Sequence, residues 1–309
     1  MSFLLKSTRE RAEVWKPLFN KALPDLAFHV WPETGAPEDV RFMAAWEPPA
    51  DLLKRFPNLE VLFSVGAGVD QFDMNTIPEH VTIIRMIEPG LTDGMVDYVL
   101  WATLTLHREI PTYLVQQKQH VWKTRHNKIA AQRRVGVMGL GTLGSPVVQA
   151  LAHAGFDCSG WSRSRHTLAN VTCYAGSDEL DAFLASSDIL VCLLPLTDAT
   201  RGMLNADLFA RLPKGAQIIN VARGAHLVTA DLLAALDSGQ IGAAILDVTD
   251  PEPLPADSPL WDHPNVMVTP HVASNSQTET AGCVLLDTVQ RYLAGERDFP
   301  SKVDRSQGY

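Results

Sequence analysis

The stretch that most constrains this chain is RVGVMGLGTLGSPVVQALAHAGFDCSGWSRSR, residues 134–165. Val135, Val137 and Met138 form a short apolar run that stops at Gly139, which reads as a buried parallel strand ending in a turn. Gly139, Gly141 and Gly144 then complete G-x-G-x-x-G, with Leu140, Thr142 and Leu143 between them. The first glycine permits a tight turn, the second lets a pyrophosphate approach the backbone, and the third lets helix and strand pack closely. Val147, Val148, Leu151 and Ala152 recur at helical spacing, so phosphates would lie over that helix's N-terminus and its free N–H groups. Taken alone, G-x-G-x-x-G also fits a glycine-rich turn that binds nothing. The strand before it, the helix after it and a second strand over 157–161 make a dinucleotide site the stronger reading.

The end of that second strand selects between cofactors. NAD-binding units usually place Asp or Glu there, to accept hydrogen bonds from the ribose hydroxyls. Here the strand ends Gly160-Trp161-Ser162-Arg163-Ser164-Arg165 without an acid, and Asp157 sits at its opposite end. Two hydroxyls and a guanidinium suit a 2′-phosphate, which a carboxylate would repel. NADP(H) is therefore favoured over NAD(H), which stays possible, and Trp161, Ser162, Arg163 and Ser164 join the glycine turn as candidate cofactor contacts.

A chain of 309 residues is long enough for two domains, each with its own core. Its net charge of -9 argues against nucleic acid as a partner, and the basic run 118–128 reads as a solvated connection. Cys158, Cys173, Cys192 and Cys283 lack metal-ligand spacing and read as small apolar residues in a reducing compartment, so no metal site is expected. No apolar run is long enough to span a membrane, and MSFLLKS is too short for a signal peptide, so a cytoplasmic protein is expected. The sequon Asn170-Val171-Thr172 is then a chance match.

Short apolar runs at 3–5, 26–30, 40–45, 59–65 and 81–86, with helical spacing over 9–21 and 50–55, predict a small α/β domain at the start. Within it, Ser64-Val65-Gly66-Ala67-Gly68-Val69-Asp70 follows a strand directly, either as a structural turn or as a nest of N–H groups for an anion. A long helical pattern over 95–122 is expected to divide or kink at Pro111. From 134 to about 270, strands at 189–194, 217–221, 241–248 and 266–269 alternate with helices at 179–185, 206–212 and 230–238, which predicts an open, doubly wound parallel sheet. A final amphipathic helix is expected over 275–294.

Ligands bind beyond the carboxyl ends of such strands, and three strand ends carry chemistry. Arg223, after Asn220-Val221-Ala222, is placed to clamp a carboxylate with its planar fork. Asp247 ends another strand, and Glu252 follows in a loop stiffened by Pro251 and Pro253. His271 follows Thr269-Pro270. Leu194, Pro195, Val221 and Ala222, also at strand ends, are expected to contact the cofactor. Singly, these residues fit a surface ion pair, a turn histidine and a solvated glutamate. Jointly, they form a set for hydride chemistry on a 2-oxo acid. Arg223 holds the carboxylate and polarises the carbonyl, while His271 delivers the proton. Glu252, paired with His271, would favour the imidazolium.

These residues resemble the D-isomer-specific 2-hydroxyacid dehydrogenases, and within them the glyoxylate/hydroxypyruvate reductase A group. The resemblance runs over essentially the whole chain. It rests on the glycine turn, residues 161–165, Ala222-Arg223-Gly224, Glu252-Pro253-Leu254-Pro255, Ser258-Pro259-Leu260-Trp261, Thr269-Pro270-His271 and the ending 303–309. It implies two Rossmann-like or flavodoxin-like domains: a discontinuous substrate domain of residues 1–97 and 278–309, and a nucleotide-binding domain of 98–277. It also implies that Arg223, Glu252 and His271 are catalytic, that Asp247 lies beside the nicotinamide carboxamide, and that Ala67 and Gly68 offer N–H groups to the substrate carboxylate. Trp46 matches a tryptophan near the substrate pocket, and a homodimer is expected through the long interdomain helix. Thr249 departs from the pattern, which has a larger aromatic there.

The expected activity is NADPH-dependent reduction of glyoxylate and hydroxypyruvate to the D-2-hydroxy acid. Reduction of bulkier 2-oxo acids is the rival among enzymes, since loop geometry sets pocket size. A nucleotide-sensing protein like the C-terminal-binding-protein corepressors is the rival outside enzymology. Formate dehydrogenase fits less well, because it pairs its histidine with glutamine rather than glutamate. Too few residues follow Ala294 for the regulatory domain found on the phosphoglycerate branch.

Overall fold

The structure, a computed structural model, describes residues 1–305; the part of the family ending at 306–309 lies outside them. The chain divides into two compact units, Met1–Leu91 with Asn275–Tyr309, and Thr92–Ser274. The cuts fall a few residues before the expected 97/98 and 277/278. Met95, Val99, Ala102 and Leu106 of the first crossing helix belong to the core of the second unit, as does Ala273 at the other crossing.

In chain order the first unit holds β1 (Ser2–Lys6), α1 (Arg9–Ala22), β2 (Ala27–Val30), β3 (Val40–Ala45), α2 (Leu52–Arg55), β4 (Val61–Ser64) and β5 (Thr82–Ile84). Then come α3 (Pro89–His107), α4 (Ile110–Lys118), β6 (Arg134–Met138), α5 (Gly144–His153), β7 (Asp157–Ser162), β8 (Val171–Ala175), α6 (Leu180–Ala185) and β9 (Ile189–Cys192). The chain continues with α7 (Ala206–Arg211), β10 (Ala216–Asn220), α8 (Thr229–Asp237), β11 (Ile241–Leu246), β12 (Val266–Val268) and α9 (Thr278–Leu293), the last returning to the first unit.

Every strand pairing in both sheets is parallel, so the expected doubly wound α/β architecture holds. The first unit has the order β2-β1-β3-β4-β5, the flavodoxin-like winding. Alternation along its strands explains the two cores. Phe3, Leu5, Phe42 and Phe63 face α1 and α9, while Leu4, Met43 and Leu62 face α2 and the segment that follows it. Trp15, fully buried on α1, also donates its indole N–H to the Thr278 carbonyl at 2.6 Å, which fixes the start of α9. The buried Glu88 carboxylate accepts from the Gly90 N–H (2.7 Å), the Gln277 N–H (3.0 Å) and the Thr280 hydroxyl (2.7 Å), serving the first turns of α3 and α9 at once.

The second unit has the order β12-β11-β10-β9-β6-β7-β8. Winding reverses between β6 and β9, and ligands bind at such a switch point. Val135, Val137, Ile189, Val191 and Ile219 pack on one face with α3 and α5; Leu190, Ile218, Ala244 and Leu246 pack on the other with α6, α7 and α8.

Two local expectations are corrected. The helical pattern over 95–122 starts earlier, at Pro89, and breaks at Glu109 rather than at Pro111. Glu109 takes a left-handed φ of 56°, and Pro111 sits in the first turn of α4, where its missing N–H costs nothing. The strand β8 is additional, and it occupies the stretch that carries the sequon.

At the amino edge of the second sheet, buried Asp188 accepts from the Arg134 guanidinium at 2.6 Å and the Arg134 N–H at 3.2 Å, with the Lys128 ammonium at 3.6 Å. Burial alone would push this carboxyl up, but the hydrogen bonds and charges of Arg134 and Lys128 outweigh it and hold the carboxyl below its ordinary value. The stabilisation is therefore complete above the unfolded value of about 3.9 and lost as pH falls through the lower folded one. Asp188→Asn should cost about 1–3 kcal/mol near neutrality. In thermal unfolding series the gap between wild type and variant should close below about pH 4; a gap that persists there would contradict this assignment.

Candidate active site

In the second unit the sequence-marked residues gather at the carboxyl ends of the strands. Gly139 follows β6 with φ +100°, a conformation that disfavours side chains, and a Cβ there would come 2.6 Å from the Leu193 carbonyl beyond β9. A Cβ on Gly144 would overlap the Gly139 carbonyl, so this glycine is what lets α5 sit against the turn. Gly141 differs: it is exposed, and a Cβ there meets nothing within 4 Å. That open space above the turn, over the first N–H groups of α5, is what a pyrophosphate needs. The Ser145 hydroxyl, donating to the Leu140 carbonyl at 2.7 Å, holds the turn from below. The residues present thus fit a dinucleotide.

At the end of β7 the roles separate. Ser162 is buried and donates its hydroxyl to the Ser164 carbonyl at 2.7 Å, shaping the turn, while Arg163 and Ser164 are exposed. Arg165 is occupied elsewhere, donating to the Cys173 carbonyl at 2.9 Å and pairing with Glu179. Glu179 also accepts from the Ala175 N–H at 2.7 Å, and the Arg165 bond, with that N–H second, holds its carboxyl below the ordinary range. The Trp161 indole N–H donates to the Gly176 carbonyl at 2.8 Å, closing the same loop. The carboxyl end of β7 carries no acid, since Asp157 lies at its amino end.

Beyond β9, the Pro195 carbonyl accepts the Thr200 hydroxyl at 2.7 Å and lies 3.3 Å from His226 Nε2. Beyond β10, Asn220 fixes the Arg223 backbone. Its amide donates to the Arg223 carbonyl at 3.0 Å, and its oxygen accepts from the Ala222 N–H at 3.3 Å. A Cβ on Gly224 would overlap the Thr249 backbone, so the loops after β10 and β11 touch through that glycine. Thr249 in turn donates its N–H to Glu252 Oε1 at 3.1 Å and its hydroxyl to the Pro251 carbonyl at 3.0 Å.

Glu252 Oε2 lies 2.8 Å from His271 Nδ1. A carboxylate only accepts, so Nδ1 carries the hydrogen and Nε2 is the nitrogen left to exchange a proton. Both side chains are more than a third exposed. His271 has a left-handed φ of 54°, unusual for a residue other than glycine, which costs about 1–3 kcal/mol and persists only where the surroundings enforce it. They do. Its N–H donates to the Asp247 carbonyl at 2.8 Å, and the Asp247 carboxylate accepts from the Val272 and Ala273 N–H groups at 2.8 Å each and from the Thr269 hydroxyl at 2.6 Å. Asp247 is 1% exposed. The Tyr98 hydroxyl stands 2.5 Å from Thr269 Oγ1. Tyr98 carries no local sequence signal of a role in the site, while Asn220 and Thr269 lie in the strand-end motifs but their hydrogen-bond partners are set by the fold.

In the first unit, the 66–68 turn is built on Ser64. Its hydroxyl donates to the Gly68 carbonyl at 2.7 Å and accepts from the Gly66 N–H at 3.3 Å and the Gln71 amide at 3.1 Å. Trp46 follows β3, is 41% exposed, and covers Gly66 so closely that a Cβ there would lie 2.9 Å from its ring. Trp46 therefore packs on the turn while keeping an open face. Ala67 and Gly68 belong to the same turn.

A family model, the NAD binding domain of D-isomer specific 2-hydroxyacid dehydrogenases, matches residues 100–273. The chain is similar over 100% of its length to a D-isomer specific 2-hydroxyacid dehydrogenase of Xanthobacter autotrophicus Py2 solved with NADPH and MES, at 41% identity and TM-score 0.94, covering 99% of that chain. It is similar at 35% identity and TM-score 0.91, with both chains covered in full, to an NADPH-dependent glyoxylate/hydroxypyruvate reductase of Sinorhizobium meliloti solved with NADP and sulfate. A further relative from Klebsiella pneumoniae 342, also a D-isomer specific 2-hydroxyacid dehydrogenase family protein, shares 39% identity over 99% of this chain and 98% of its own, with TM-score 0.90.

The two glycines allow a paired experiment. Gly141→Val should fold with an unchanged melting temperature yet bind NADPH at least about tenfold more weakly by fluorescence titration, since its side chain fills the phosphate space. Gly144→Ala should lose about 1–3 kcal/mol of stability by prising α5 off the turn. Equal melting losses in both variants would contradict the distinction.

Proposed function

Because the chain belongs to the D-isomer specific 2-hydroxyacid dehydrogenase family, we propose that it reduces small 2-oxo acids, glyoxylate and hydroxypyruvate first, to the D-2-hydroxy acid with NADPH. The observation that carries this reading is the His271–Glu252 pair at 2.8 Å on the strand-end edge that also bears the glycine turn and Arg223. A bound nicotinamide nucleotide would supply the hydride, held by the 139–144 turn, by Arg163 and Ser164 at the 2′-phosphate, and by residues around Leu194, Pro195, Val221, Ala222 and Asp247.

The chain's own groups do the rest. Arg223, its backbone fixed by Asn220, binds the substrate carboxylate and draws charge from the carbonyl through its paired N–H donors. In the first unit, the turn of Ala67 and Gly68, with Trp46 packed on it, is the proposed source of further substrate contacts. His271 gives its Nε2 proton to the carbonyl oxygen, and Glu252, anchored by the Thr249 N–H, steadies the charged ring before transfer. In the reverse direction the neutral ring takes the proton back.

Trp101, Leu104, Ile110 and Leu114 leave large apolar surfaces exposed along α3 and α4, which supports a homodimer through this face. Among the described residues no helix is long and apolar enough to cross a membrane.

Steady-state assays with a panel of 2-oxo acids and both nucleotides test the reading. NADPH should outperform NADH in kcat/KM, and Arg163→Ala should shrink that preference by about tenfold or more. His271→Ala and Arg223→Ala should each lower kcat/KM by about 10²–10⁴. Preference for NADH, or an active His271→Ala enzyme, would overturn the assignment.

A further inference from the structure

The left-handed His271 loop is held by a carboxylate, and that carboxylate is itself oriented by a chain of hydroxyls leading to α3. Thr269 Oγ1 has one hydrogen. It stands 2.6 Å from Asp247 Oδ1, which only accepts, so that hydrogen goes to Asp247. The Tyr98 hydroxyl, 2.5 Å from the same Thr269 oxygen, must then donate to it. Donor direction is thus determined along the whole path, from Tyr98 to Thr269 to Asp247. Burial pushes the Tyr98 phenol up to about 12, so the donor keeps its hydrogen at any working pH.

Asp247 fastens the loop on both sides of His271. Thr269 lies two residues before it, and the Val272 and Ala273 N–H groups lie one and two residues after it. A hydroxyl is free to rotate, and only a second partner makes it keep one direction. Tyr98 is that partner. Its ring is itself fixed edge-on by Trp101 at 5.1 Å.

We propose that Tyr98 is a positioning residue for the proton donor: through the Thr269 hydroxyl it sets the Asp247 carboxylate, and through that the left-handed loop that aims His271. The proposal rests on the reading of His271 as the proton donor. Tyr98 does not touch substrate in this role, so its loss should fall on kcat and leave binding alone. It acts only through Thr269, so its loss should be silent once Thr269 cannot respond.

The test is a double-mutant cycle with hydroxypyruvate and NADPH, read alongside the ring NMR signals of His271, assigned by their absence in His271→Ala. Tyr98→Phe should lower kcat about tenfold with both KM values within about twofold, and should shift the His271 signals. Thr269→Val should do at least as much, Thr269→Ser should restore most of the loss, and the double variant Tyr98→Phe/Thr269→Val should match Thr269→Val alone. Wild-type kcat and unmoved His271 signals in Tyr98→Phe, or losses that multiply in the double variant, would overturn the proposal. Shifted His271 signals in a protein that reduces no 2-oxo acid would uphold the positioning and overturn the catalytic reading beneath it.

Discussion

The second unit's strand-end edge depends on one buried carboxylate. Asp247 is 1% exposed and takes three donors from the loop beyond β12, while its carbonyl takes the His271 N–H. A buried charge is tolerated only when its lone pairs are filled, and here the filling groups are those of the histidine loop. Stability and geometry are therefore the same requirement. Any rearrangement that relaxed the left-handed His271 would strip donors from a desolvated carboxylate, at about 1–3 kcal/mol for each group left unpaired. The exposed end of the loop, where His271 meets Glu252, can then carry weak, solvent-screened contacts without losing its direction.

The same economy recurs at the neighbouring strand ends. Asn220 fixes the Arg223 backbone, Gly224 brings that loop against Thr249, and Thr249 holds Glu252, so successive strands β10, β11 and β12 hand on position by short local contacts. Thr249, where the resemblance led to an expected larger aromatic, organises the Glu252 loop in two ways through its N–H and hydroxyl. At the other side of the switch point Gly139 is required by its positive φ and by backbone contact, Gly144 by backbone contact, and Gly141 keeps space open. The Arg165–Glu179 pair shapes the loop beyond β7, which leaves Arg163 and Ser164 to face outward.

Much of this was legible in the chain because parallel strands buried on both faces write themselves as short apolar runs. Those at 3–5, 40–45, 189–194 and 241–248 became β1, β3, β9 and β11. The edge strand β8 escaped because Val171–Ala175 is only half-buried and offers no such run. The helix α3 starts at Pro89, ahead of the expected 95, because a proline in a first turn is compatible with a helix, and the break at Glu109 uses a left-handed residue that no glycine announces. Site residues next to glycines and prolines were visible for the same reason that loops are. Tyr98 was not, since its partner Thr269 lies 171 residues away and its helical spacing says only that it packs.

With His271 as the proposed proton donor and Arg223 as the proposed carboxylate clamp, an acceptor held between them can receive hydride on one face only. The most direct test is the chirality of the product. Hydroxypyruvate reduced to completion with NADPH and resolved on a chiral column should yield D-glycerate alone. A mixture of enantiomers, the L form, or no glycerate at all would contradict it.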